Sequence, residues 1–221
     1  MNVQTYEAGW KAIQNQLSTI ETLKYIDADS KPWDTYEPTR SPKYLVSIGD
    51  LESLRSTRDL VLYESLCAEA ALAGHLEVLI WLRANGCPWD EKTCSYAVYG
   101  NHFEVLKWAI DNGCPLDEYV STYAARYGHL EVLKYLRANG CPWSEFACSN
   151  AARYGHLGVL IWLRANGCPW DEFACSDAAY NGHLEVLIWL HTNNCPWDKS
   201  RCVRRATQNK HQHVVDWLNA N

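Results

Sequence analysis

The sequence predicts an all-α solenoid of about eight stacked helix pairs. Three observations carry that prediction. The string Cys-Pro recurs at Cys87, Cys114, Cys141, Cys168 and Cys195, each 27 residues after the last. The string His-(Leu/Phe)-(Glu/Gly)-Val-Leu begins at His75, His102, His129, His156 and His183 with the same step of 27. Between these anchors lie two short stretches of helical apolar spacing, each too short to hold a helix on its own. A fixed period of this kind marks a repeat architecture in which every unit buries its apolar face on its neighbours.

Each unit divides at the glycine before the histidine. Upstream, Cys94, Ala97 and Val98 at i, i+3 and i+4 form one apolar stripe and predict a first helix over Glu91 to Tyr99 and its copies. Asp90, Asp117, Ser144, Asp171 and Asp198 stand immediately before the first helices, and each is a residue type that caps a helix N-terminus. The Glu that follows in most copies suits the positive end of the helix dipole. Downstream, Leu76, Leu79, Ile80 and Leu82, or Leu130, Leu133 and Leu136, predict a second helix with a wider apolar stripe.

The turns are legible as well. In the Gly74 column the exceptions are Asn101 and Asn209, and in the Gly86 column the exception is Asn194. Asparagine is the residue after glycine that best tolerates the left-handed backbone a helix C-terminus often needs. The paired alanines Ala70-Ala71, Ala124-Ala125, Ala151-Ala152 and Ala178-Ala179 let helices of adjacent units approach closely.

The copies extend beyond the regular five. Ile20 to Asp34 matches Leu130 to Ser144 almost step for step, and Gly49 to Leu54 echoes Gly74 to Leu79. At the other end Cys202 and Ala206 keep register, and one inserted residue near Lys210 shifts Val214 to Leu218. The chain is therefore expected to be a single solenoid domain over 1–221. It has degenerate N-terminal capping units over 1–62, five regular repeats over 63–197 and a C-terminal capping unit over 198–221.

Ala-Ala-x-x-Gly-His-Leu-Glu-Val-Leu-Lys-x-Leu, as it stands at Ala124 to Leu136, resembles the central signature of ankyrin repeats. The unit is shorter than the family's repeat of about 33 residues. Its Thr-Pro-Leu-His turn is replaced by Glu-x-x-Cys-Ser, and the β-hairpin is cut to Asn-Gly-Cys-Pro-Trp. In this it is similar to the short ankyrin-like repeats of large DNA viruses and protists. The resemblance implies an ankyrin-like helix-turn-helix solenoid with reduced or absent hairpins, acting as a protein-interaction scaffold without catalysis.

Composition narrows the partners. With 26 Asp+Glu against 20 Lys+Arg, the formal charge of −6 speaks against a general nucleic-acid or anionic-membrane binder. No apolar run is long enough to span a bilayer, and the N-terminus does not read as a signal peptide. The expected location is intracellular and cytoplasmic, or the host cytoplasm for a viral protein, and the ten cysteines are expected to be reduced thiols. A monomer is expected.

The cysteines form C-x6-C pairs at Cys87/Cys94, Cys141/Cys148, Cys168/Cys175 and Cys195/Cys202, with no C-x-x-C knuckle, and Cys114 matches Ser121. Equivalent cysteines one helix spacing apart are too distant to share a zinc, so the expected role is small apolar packing. The histidine column stands where a turn-capping hydrogen bond is the plain role, and no carboxylate column accompanies it as acid–base chemistry would require. His191, His211 and His213 fall outside that column. Trp89, Trp143, Trp170 and Trp197 lie in the links, and Trp81, Trp108, Trp162 and Trp189 lie on second helices. Lys107 and Lys134 give way to Ile80, Ile161 and Ile188, so no basic stripe accompanies them and structural stacking between units is expected. No metal, cofactor or catalytic residue is assigned.

The informative positions vary while the framework is held. One first-helix column reads Glu69, Tyr96, Tyr123, Asn150, Asp177 and Arg204, and a second reads Leu72, Tyr99, Arg126, Arg153, Tyr180 and Thr207. They lie three residues apart and share one helical face. Tyr and Arg dominate protein-interface hot spots. Glu69, Leu72, Tyr96, Tyr99, Tyr123, Arg126, Asn150, Arg153, Asp177, Tyr180 and Arg204 are therefore the expected partner-binding residues. Tyr123→Ala or Arg126→Ala is expected to weaken capture of a protein partner while leaving thermal stability nearly unchanged. The alternative is a regulatory or substrate-targeting subunit that recruits an effector through a capping unit.

Overall fold

The computed structural model describes residues 41–58 and 60–221, over which fourteen helices follow one another without a strand. Helices α1 (Pro42–Ile48) and α2 (Leu51–Ser56) lead into five pairs. These are α3 (Glu64–Ala73) with α4 (Leu76–Ala84), α5 (Glu91–Tyr99) with α6 (Phe103–Asp111), and α7 (Glu118–Arg126) with α8 (Leu130–Ala138). The last two are α9 (Glu145–Arg153) with α10 (Leu157–Ala165), and α11 (Glu172–Tyr180) with α12 (Leu184–Thr192). A further pair, α13 (Lys199–Gln208) and α14 (Gln212–Ala220), ends the series. The copy read at Ile20 to Asp34 lies outside the described residues. Among the described residues no helix is long and apolar enough to cross a membrane.

The first helices stack directly on one another in the order α1, α3, α5, α7, α9, α11, α13, while each second helix packs on the first helix of its own unit. The alanines explain the difference. Ala70, Ala97, Ala124, Ala151 and Ala178 are fully buried where successive first helices meet, and a methyl group there lets the backbones approach. Leu79, Leu106, Leu133, Leu160 and Leu187 fill the space between the layers and are at most 1% exposed. Burying each contributes about 1.5–3 kcal/mol.

Helix starts follow the sequence with one exception. Asp90, Asp117 and Asp171 accept backbone N–H groups of Lys92, Tyr119 and Phe173 at 3.1 Å, and Asp198 accepts that of Arg201 at 3.0 Å. Ser144 was expected to do the same and does not: its buried hydroxyl has no hydrogen-bond partner. Its backbone is as extended as that of Asp90, whose carboxylate does cap its helix.

Helix ends are closed by left-handed residues and by a side chain. After α7, His129 N–H bonds Ala124 O at 2.9 Å across Gly128, whose φ is +73°. Asn101 and Asn194 each take φ +60° as expected. Asn209 does not, because α13 runs one residue longer and Lys210 takes φ +60° instead. The inserted residue thus falls inside the helix, before the turn. The asparagine that precedes the link glycine has a second use: Asn85, Asn112 and Asn166 donate from Nδ2 to the carbonyls of Trp81, Trp108 and Trp162 at 2.8 Å.

The link closes each unit on itself. The Cys87 thiol donates to Tyr63 O at 3.3 Å, and Cys114, Cys141, Cys168 and Cys195 donate to Asp90, Asp117, Ser144 and Asp171 carbonyls at 3.4 Å, always 24 residues back. All ten cysteines are free and buried. The structure does not pair them at C-x6-C spacing. It brings Cys67 beside Cys87, Cys94 beside Cys114, Cys148 beside Cys168 and Cys175 beside Cys195, within hydrogen-bonding reach. The bond to the neighbouring thiol, then burial, pushes Cys67, Cys94, Cys148 and Cys175 well above the ordinary thiol range. Burial alone leads at Cys141, which is pushed up to about 12.

Histidines and tryptophans join one unit to the next. The histidine side chains make no cap hydrogen bond within their own helices. Each helix start is instead met by its backbone, and the ring turns toward the preceding unit, where His156 Nε2 lies 2.9 Å from Arg126 O. His211 was placed outside the column but continues it: it precedes α14 and lies against Gly182 as His156 lies against Gly128. Trp89 meets Trp108 edge-on at 6.0 Å, Trp143 meets Trp162 at 6.0 Å and Trp170 meets Trp189 at 5.9 Å. A guanidinium covers three of the four link indoles, Arg83 over Trp89 at 4.1 Å, Arg137 over Trp143 at 4.2 Å and Arg164 over Trp170 at 3.9 Å, while the His191 ring meets Trp197 at 4.5 Å.

Candidate interaction face

The variable columns lie along the stacked first helices, and regular packing beneath them sets their spacing. Tyr96, Tyr123, Asn150 and Asp177 are half-buried on successive helices, and Arg204 is exposed at the end of the row. At the other end Glu69 forms an ion pair with Lys43 at 3.5 Å, and Leu72 is half-buried.

The middle of the face is an aromatic patch. The Tyr99 ring meets Tyr123 edge-on at 6.3 Å and Tyr127 at 5.6 Å. The Arg126 guanidinium stands over Tyr127 at 5.6 Å and over Tyr154 at 4.7 Å. Burial raises the Tyr123 and Tyr127 hydroxyls above the ordinary tyrosine value, so both rings stay neutral at physiological pH. Asn150 is turned back on its own helix, donating to Phe146 O at 2.9 Å.

Tyr123 also packs against the core. The expectation that Tyr123→Ala or Arg126→Ala would leave stability nearly unchanged therefore fails on geometry. Each truncation removes ring contacts that join two units.

The end of the face is charged. Asp177 accepts from Arg205 Nη1 at 2.7 Å and faces Arg153 Nε at 4.0 Å. Burial raises its carboxyl while the Arg153 and Arg205 charges oppose that rise. Arg205 also stands over Tyr180 at 5.4 Å, and Arg201 over Phe173 at 4.4 Å.

Tyr127, Tyr154, Arg201 and Arg205 belong to this face and were missed from the sequence. A signal existed for the two tyrosines: the column Gly100, Tyr127, Tyr154, Asn181 varies and lies one helical turn beyond Tyr96 and Tyr123. Arg201 and Arg205 stand in columns that are alanine in the preceding unit (Ala174 and Ala178), which disguised them as framework.

The opposite side of the stack differs in kind. An open groove of about 410 Å³ there is lined by Ile161, Arg164, Ala165, Trp170, Trp189 and Asn193, nearly all of them framework columns. Among the described residues no cluster of His, Cys, Asp and Glu side chains gathers at metal-binding distance.

No family model and no curated protein matches the chain. Among solved structures it is similar to the human ASB11 ankyrin repeat domain, with a TM-score of 0.56 and 18% identity over 70% of this chain and 83% of that one. The fold of this chain is that of an ankyrin-repeat domain.

Proposed function

We propose that the chain is a non-catalytic scaffold that binds another protein through the face of its first helices. One observation carries this reading. The framework columns are buried or spent on joining units, whereas the variable columns concentrate Tyr and Arg on one accessible face. The preformed rings of Tyr99, Tyr123, Tyr127 and Tyr154 offer a partner large contact area with few torsions left to freeze. In this reading 1–62 and 198–221 cap five regular repeats over 63–197, and the protein acts as a cytoplasmic monomer.

The test is capture of partners from the source cell's extract by the intact chain and by two triple variants. Tyr96→Ser/Asn150→Ser/Arg204→Ser alters the first-helix face, and Lys107→Ala/Lys134→Ala/Ile161→Ala alters the second-helix face. The reading expects the first variant to lose bound proteins that the second retains. Equal capture by both would overturn it.

A further inference from the structure

The last first helix departs from the others in charge. Helices α3, α5, α7, α9 and α11 all begin with Glu, whereas α13 begins with Lys199. It also carries Arg201, Arg204 and Arg205 and no acidic residue. This concentration arises in a chain whose net charge is −6. Lys199 and Arg201 lie in the first turn, where the helix dipole disfavours cations. Local physics does not account for them there.

Ala174 and Ala178, fully buried on the preceding first helix, are replaced by Arg201 and Arg205 on α13. Loss of burial at these positions would admit any polar residue and does not call for arginine. Four cations on α13 meet two carboxylates, Asp198 at its start and Asp177 on the preceding first helix, and remain in electrostatic excess. Arg205 and Arg153 share Asp177 at 2.7 and 4.0 Å. The Arg201 guanidinium is held on the Phe173 ring and makes no ion pair with a described residue, and Arg204 is exposed.

We propose that this end of the first-helix face binds an acidic peptide segment of a partner protein, its carboxylates meeting Arg153, Arg201, Arg204 and Arg205 and its apolar side chains resting on Phe173 and Tyr180. The inference rests on the scaffold reading and names the partner's chemistry. Guanidinium groups stacked on rings keep their planes fixed and present N–H donors in the fork that carboxylates accept. A protein segment is favoured over a nucleic acid because the basic cluster does not continue along the stack: Glu69 and Asp177 stand in the same column.

The experiment is fluorescence anisotropy of the full chain with a fluorescein-labelled peptide alternating Glu and Leu, with its Lys–Leu counterpart, and with a single-stranded oligothymidine. Saturable binding of the Glu–Leu peptide alone is expected, weakened at least about tenfold by Arg201→Glu/Arg204→Glu and by raised salt. Arg204→Glu alone changes an exposed side chain and serves if the double variant misfolds, with a smaller loss in the same direction. No binding of the Glu–Leu peptide, binding indifferent to charge reversal, or tighter binding of the oligonucleotide would overturn the proposal. If the peptide fails while the Tyr96/Asn150/Arg204 variant still loses captured proteins, the scaffold reading stands and the acidic partner falls.

Discussion

The imidazole of His156 lies on Gly128: a Cβ on that glycine would fall 2.8 Å from Nδ1, and Nε2 of the same ring lies 2.9 Å from Arg126 O. One side chain thus fills the space above a glycine of the preceding unit and satisfies a carbonyl at that unit's helix end. The same glycine–histidine approach recurs at Gly74 with His102 and at Gly155 with His183.

Gly128 is therefore constrained twice, and Gly140 once. Gly140 has φ +76° and no atom within 4 Å of a Cβ placed on it. Gly140→Ala should cost about 1–2 kcal/mol from backbone strain alone. Gly128→Ala should cost clearly more, and His156→Ala in the same chain should return part of that excess. Thermal or urea denaturation of the native chain, the two glycine variants, His156→Ala and the Gly128→Ala/His156→Ala double variant measures the coupling, and equal costs at the two glycines would show that the imidazole yields freely.

Arg164 and Trp170 form a second coupled pair, and the sequence contains its own comparison. Where the link residue is Leu116, the residue six earlier is Ile110 rather than arginine. Arg164→Ile should destabilise by about 0.5–2 kcal/mol, through lost stacking on the indole and the lost bond from Nη1 to Cys168 O. Adding Trp170→Leu should cost less than it does in the native background, a coupling of about 0.5–1 kcal/mol in a double-mutant cycle. Strict additivity would mean that the two columns vary independently.

Ala151 is fully buried where α9 meets its neighbours. Ala151→Leu should cost about 1–3 kcal/mol by overpacking, read as a lower melting temperature. An unchanged melt would mean that the first helices have room to separate.

Mild acid should weaken the stack through two of its histidines. Burial holds the imidazoles of His129 and His183 below the ordinary histidine value of 6.5. The neutral ring is favoured in the folded state, so the unfolded chain takes up protons first as pH falls. Their contribution is complete above about pH 6.5 and is lost as pH drops from there toward the lowered folded values. Asp117, Asp171 and Asp177, raised by burial, act with the opposite sign. Melting temperature should fall between about pH 7.5 and 5.5, and His129→Asn/His183→Asn should flatten that slope. An unaltered slope would assign the acid sensitivity to other groups.

The period of 27 exposes helix starts, helix ends and buried columns directly, because each unit sees the same surroundings as the next. What the spacing could not reveal were contacts whose partners lie in different columns and different units. The imidazole of His156 reaches a carbonyl 30 residues away, and nothing in a single unit points there. Ser144 looked like a cap because its residue type is right, yet its hydroxyl makes no such bond. Lys210 took the left-handed turn from Asn209 because an insertion can be absorbed by the helix or by the turn, and residue type favoured the turn. For the candidate face, the variable columns identified Tyr99 and Arg126, but their hold on Tyr127 and Tyr154 became visible only with the rings in place.

The thiol bond that returns 24 residues from each link to the start of its own unit makes that unit the natural quantum of chain length. Excising 118–144 joins Asp117 to Glu145, an Asp-Glu junction of the kind found at 90–91 and 171–172, and every surviving side chain keeps its column while only the variable columns change partner. Excising one residue fewer rotates all that follows by a step and severs the register. Lineages carrying such a chain can lengthen or shorten it by whole units, resizing the surface it offers without inventing a new contact.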